Sequence, residues 1–324
     1  LLETDVLRVL AILLITNSHL DALYPIPGLA SGGALGNSLF FMLSGLGLSL
    51  SNKASEYGNI FKWIFYRLSR IYPPLWVVLF CQVVFFHLKQ PKNIFEYGYH
   101  IFYPTDFWFI SALVCFYVLT YPILRFNMQR WVHCIILVLM IPYFLIYFGV
   151  LDLHHFSVES KGYFKWIFYY QVMLFGIWLA PIYLSWKEKI LSNKLVDFVS
   201  LALVFLLYIA LKFTMAHGYM LPVQFLVQWI TLIFVYLALK CSFYIAKWIN
   251  LKILVKLIAL LASITLEVYL LQASIYNSGL IAEMPFPYNL VLFWGIVLPF
   301  AWLVHYLSNP LQKALRKMVS LEKS

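Results

Sequence analysis

Apolar residues run in blocks of roughly 20 along the whole chain, separated by short stretches where Lys, Arg, Asn, Pro and Gly collect. A helix that crosses a bilayer needs about 20 mainly apolar residues. Ten segments qualify: 6–23, 34–50, 74–88, 107–124, 131–150, 166–185, 195–215, 221–239, 257–280 and 288–308. The pattern therefore predicts an all-α polytopic membrane protein with about ten transmembrane helices. One further segment, NIFKWIFYRLSRIYPP, sets Phe61, Ile64, Phe65 and Leu68 on one stripe, with Lys62, Arg67 and Arg70 elsewhere. It predicts a cytoplasmic interfacial helix near 60–72, capped by Asn59 and ended by Pro73-Pro74.

Charge fixes the expected orientation. Of the 23 Lys and Arg residues, only Lys89, Lys92, Lys161, Lys165 and Lys212 fall on one side if the N-terminus lies on the other. Basic residues favour cytoplasmic loops, so both termini are expected in the cytoplasm. Charged residues make up 11% of the chain, against about 25% in soluble domains. The net charge of +10 is scattered between apolar blocks, which argues against a nucleic-acid partner and for membrane lipids. A single transmembrane domain over 1–324 is expected, with no fused soluble domain. Cys81, Cys115, Cys134 and Cys241 lack metal-ligand spacing and read as packing residues, and the adjacent His154 and His155 lack further ligands. No metal is expected.

Polar residues inside the apolar blocks are the candidate chemistry, because ionisable groups at membrane depth face a bundle interior or a wet cavity. In RVLAILLITNSH, eleven positions separate Arg8 from His19, three turns plus about 20°, so a continuous helix puts both on one face about 16 Å apart. Asn37 and Ser44 share a face of the second segment, where Gly45 and Gly47 permit close packing. Glu267 lies mid-way along the ninth, in a sector with Ser263, Ser274 and Ser278, while Gln272 points to the opposite side. Gln224, Gln228 and Thr231 line one face of the eighth. A central polar cavity is the expectation.

These stretches carry a resemblance. RVLAILLITNSH is similar to the first-helix signature of the membrane acyltransferase-3 family. FFMLSGLGLS resembles its second helix, RLSRIYPPLW its basic motif, FWFISALVCFYVLTYP its fourth helix, and TLEVYLLQ its ninth. The ninth motif usually finishes in histidine, where this chain has Gln272. The resemblance implies a membrane O-acyltransferase moving an acyl group, commonly acetyl from acetyl-CoA, to a hydroxyl of an extracytoplasmic or lipid-linked glycan. Acyl-CoA is then a co-substrate, and no permanently bound cofactor is expected. Carried over, Arg8 and His19 become the essential pair, and Arg67 and Arg70 match the basic motif.

In that reading Arg67 and Arg70, with Arg8, hold the donor, although lipid anchoring explains the same arginines. His19 serves as general base or, by a second route, as acyl carrier. Glu267 joins the catalytic set by orienting His19 or holding a sugar hydroxyl. Asn37, Ser44, Asp106 and Trp108 are the expected substrate contacts. The location is a cell membrane, with the bacterial inner membrane as default. The competing classes are a secondary transporter and a non-catalytic glycan- or lipid-binding protein.

Overall fold

The computed structural model describes residues 1–51, 59–84, 94–102, 107–160, 162–188, 193–277, 281 and 284–321. Regular structure among these residues is helical. The helices are α1 (Leu2–Asn17), α2 (Gly33–Ser51), α3 (Ile60–Val84), α4 (Ile94–Phe102), α5 (Trp108–Arg125) and α6 (Val132–Gly149). They continue with α7 (Phe164–Glu188), α8 (Lys194–Ala216), α9 (Phe225–Trp248), α10 (Lys252–Ser263), α11 (Thr265–Asn277) and α12 (Tyr288–Leu321). Among the described residues, seven helices are long and apolar enough to cross a membrane, or eight if the bent pair α10–α11 is one span. The first and third of the ten expected segments are not among these. α1 has 16 residues, about 24 Å of helix against a hydrocarbon core of about 30 Å. α3 is longer but carries Lys62, Arg67 and Arg70.

Three local expectations are corrected. The first helix stops at Asn17 because its amide is engaged elsewhere: Nδ2 donates to Leu29 O, and Oδ1 accepts from Tyr24 OH. Pro73 and Pro74 do not end α3, which runs through them with both prolines buried. Their missing N–H groups are tolerated where neighbouring helices enclose the backbone. The ninth segment is broken, with α10 and α11 bent by 62° about Ile264. Beside the break, Ser263 Oγ donates to Leu260 O and Thr265 Oγ1 to Ala262 O, side-chain bonds that favour bends. Ser263 and Glu267 therefore leave the common face that a straight helix gives them, and Ser278 lies outside the described residues. The Asn59 cap is present: Oδ1 accepts the Phe61 N–H at 2.8 Å.

Two compact units emerge. The first comprises Leu1–Ile15, Ser31–Asn52 and Pro122–Ala259. Its centre is α7, two-thirds buried, while the lipid-like faces of α6 and α8 expose Leu137, Ile141, Leu203 and Leu206. α2 and α7 touch backbone to backbone. A Cβ on Gly45 would overlap the Met173 carbonyl, and one on Gly176 would overlap the Met42 carbonyl. Gly47 has open space around it. α9 packs on α2 and α8, with Ser38 Oγ donating to Thr231 Oγ1.

The second unit comprises Thr16–Ala30, Lys53–Tyr121 and Leu260–Ser324. Here α12 lies antiparallel to α3 and also packs on α11. Near the start of α3, the Arg316 guanidinium of α12 sits over the Tyr66 ring. At the other end of α12, Asn289 Nδ2 donates to Leu23 O in the turn after α1. Phe61 and Phe65 of the expected stripe are exposed, whereas Trp63 is buried against Tyr117 and Tyr121.

Candidate active site

The second unit gathers polar groups at two levels. One is the turn after α1. His19 is exposed there, two residues past the helix, and its N–H bonds Thr16 O. The one-face alignment with Arg8 therefore does not form, because there is no helix beneath His19. Tyr276 OH, one residue from the end of α11, reaches Asp21 at 3.5 Å, and Asn17 and Tyr24 complete this polar rim. Arg8 belongs to the first unit, where Asp5 Oδ1 accepts from its guanidinium at 2.8 Å.

The other level lies nine residues earlier on α11, about 14 Å along its axis. Glu267 is buried in the first turn of α11, and its Oε1 lies 2.8 Å from Nδ1 of His305 on α12. Its Oε2 is buried and has no hydrogen-bond partner. Glu267 thus serves His305, and the expected orientation of His19 by this carboxylate does not occur. Arg70, exposed on α3, lies within electrostatic range of His305. One turn back, the Arg67 guanidinium lies over Trp63 and Tyr66 at 5.5 and 5.8 Å, and Arg316 lies 5.8 Å from the same Tyr66 ring. Between the levels, Gln82 Nε2 donates to Ser274 Oγ at 2.8 Å. Gln82 Oε1 and Gln272 Oε1 are buried acceptors without partners. Unsatisfied buried polar groups in an apolar setting cost stability unless a ligand meets them.

Over this whole arrangement lies one match: the acyltransferase-3 family model, described as "Acyltransferase domain", covers residues 1–308. The chain belongs to the acyltransferase-3 family. No curated protein and no solved structure gives a match. Family and helix pattern together make it a multi-pass membrane protein of an acyltransferase family.

In this acyltransferase-family chain the remaining expected contacts fall in both units. Trp108 begins α5, half-buried against Phe109. Asp106 lies outside the described residues. Asn37 and Ser44 belong to the first unit, where Asn37 Oδ1 is buried without a partner. The glutamine face of α9 is buried as expected, and it grips a loop. Gln224 Oε1 accepts the N–H groups of Ser157 and Val158, and Gln228 Nε2 donates to Glu159 Oε1 at 2.9 Å. Tyr169 OH donates to Glu159 Oε2, and Tyr143 OH to Gln228 Oε1. Burial pushes the Glu159 carboxyl above the usual carboxylate range, against the hydrogen bonds of Gln228 and Tyr169. A cavity of about 440 Å³ in this unit, lined by Ser49, Arg130 and Trp178 among others, touches none of the expected site residues.

His305 and Arg316 escaped the sequence reading. The signal was available: WLVHYL places an imidazole within the last apolar block, the same kind of anomaly as Glu267. Arg316 was hidden in a basic tail that reads as an ordinary cytoplasmic end.

Proposed function

We propose that the protein is an O-acyltransferase that takes an acetyl group from acetyl-CoA on the cytoplasmic side. The acceptor is a hydroxyl of an extracytoplasmic or lipid-linked glycan. Both termini are cytoplasmic in this reading, so the Arg67 end of α3 faces the donor pool and the His19 turn faces outward. One observation carries it. Within one unit, the Arg70–His305 level and the His19 turn are separated along α11 by about 14 Å. The pantetheine arm has the chain length of about four residues and so reaches roughly 13–14 Å. Phosphates held at the arginines bring the thioester to His19. Arg8 keeps its expected role at the donor, and Glu267 acts on His305.

The chemistry follows from that placement. The acceptor oxygen attacks the thioester carbonyl while His19 takes its proton. The C–S bond then breaks, and the departing thiolate takes the proton back from the imidazolium. An imidazole can both accept and return a proton, and the exposed ring of His19 is open to an incoming acceptor hydroxyl.

The test uses purified protein in proteoliposomes with labelled acetyl-CoA and a panel of surface glycans. His19→Ala should lower transfer by about 10²–10⁴-fold while leaving coenzyme A binding intact. Full transfer by that variant removes His19 from the reaction. If neither form acetylates any acceptor while a solute crosses the membrane, the protein is a transporter.

A further inference from the structure

Along the second unit, α12 presents a guanidinium and an imidazole on the face that meets α3 and α11. Arg316 and His305 are eleven residues apart, so they share a helical sector within about 20° and lie about 16 Å apart along the axis. Neither stands alone. Arg316 shares the Tyr66 ring with Arg67 at 5.8 Å each, so the two guanidinium carbons are within about 12 Å of each other. Two like charges over one ring repel, and the Arg316 Nε is buried with no hydrogen-bond partner. His305 is fixed by Glu267, whose carboxylate is 3% exposed, and it lies within electrostatic range of Arg70. α3 and α12 thus form two walls with basic side chains on both: Arg67 and Arg316 share the Tyr66 ring, and Arg70 lies within electrostatic range of His305.

We infer that α12 supplies the second wall of the donor site, with Arg316 taking the 3′-phosphate of the acyl-CoA nucleotide and His305 its diphosphate. As an imidazolium, His305 donates one N–H to Glu267 and the other to a phosphate oxygen. Glu267 is then a positioning residue. A nucleotide with phosphate at both ends would lie between the Tyr66 and Arg70 levels, about 6 Å apart along α3, with the long Arg316 side chain reaching back along α12 towards His305. The arm continues from Arg70 towards His19. This rests on the acyl-CoA reading above and adds the residues that recognise the nucleotide.

Titration calorimetry on the full chain in detergent, with coenzyme A, dephospho-coenzyme A and phosphopantetheine, separates the roles. Arg316→Ala should weaken coenzyme A binding about tenfold, the scale of one charge-assisted hydrogen bond, and leave dephospho-coenzyme A unchanged. Arg316→Lys should recover most of the loss. His305→Gln should weaken coenzyme A and dephospho-coenzyme A alike, by a similar factor, and Glu267→Gln should reproduce part of it. Arg316→Ala binding coenzyme A as tightly as wild type overturns the proposal. So does an effect confined to nanodiscs of anionic lipid, which makes Arg316 a headgroup contact. Equal losses for all three ligands in Arg316→Ala point to misfolding, and failure of Arg316→Lys to recover them then overturns the assignment. If wild type binds no coenzyme A at all, the acyl-CoA reading itself falls. If wild type binds and the α12 variants match it, only the second wall falls.

Discussion

Two carboxylates held by side chains of other elements, Glu159 in the first unit and Glu267 in the second, end differently. Glu159 in the first unit has both oxygens occupied, one by Gln228 and one by Tyr169. Gln228 is in turn engaged by Tyr143, and Gln224 fastens the adjoining backbone. Glu267 in the second unit has one oxygen on His305 and the other on nothing. A fully connected polar network fixes a unique packing, whereas a half-satisfied one costs free energy in the resting state. In the first unit the network around Glu159 is closed by its own side chains. The second keeps unmatched donors and acceptors at Glu267, Gln272, Gln82 and Arg316, and that deficit is what a ligand can make good.

The largest expected effect breaks the closed unit. Gly45→Val drives a side chain into the Met173 carbonyl, an obstacle that no rotamer relieves. The cost exceeds the ~1–3 kcal/mol of ordinary overpacking, and size-exclusion chromatography should show loss of the monodisperse protein. Next comes Gln228→Ala, which strands Glu159 and Tyr143 together. Thermal unfolding in detergent should show roughly 1–3 kcal/mol of destabilisation, with coenzyme A affinity unchanged in the protein that remains folded.

Glu267→Gln sharpens the contrast from the other side. It should change thermal stability by less than about 1 kcal/mol, because an amide replaces a carboxylate already half-unmatched, yet weaken donor binding. Strong destabilisation by Glu267→Gln, with donor affinity preserved, would make the two carboxylates equivalent and end the comparison.

The smallest effect is in pH. Burial raises the Glu159 pKa, so the folded state holds that proton more tightly than the unfolded chain does. Its contribution to stability is complete below the unfolded carboxylate pKa and is lost as pH rises through the raised folded value. Glu159→Gln should flatten the fall in melting temperature over that window. A wild-type profile identical to the variant's would show that the carboxyl titrates normally.

How much was legible varies by element. The apolar blocks announced helices α5 to α9 and α12, because a run of that length has few other stable forms in lipid. Asn59 was legible as a cap, since its side chain acts on its own next turn. The glutamine face of α9 was legible as buried, although its partner, the loop around Glu159, was not. The ends of α1 and α3 were misread for opposite reasons. Asn17 stops a helix by bonding Leu29, a residue that periodicity cannot bring near it. Pro73 and Pro74 fail to stop one because the surrounding helices tolerate the gap.

Composition and period alone determined that this chain is helical, apolar and built for a membrane, since those follow from transfer free energies summed over local segments. The motif order determined its family. Only tertiary structure decided which ionisable groups meet. Glu267 found His305 across 38 positions, and Arg316 found Tyr66 from the opposite end of the chain. Hydrogen bonds and ring contacts act over a few ångströms, and no pattern along one strand of sequence records which distant helix will come within that range.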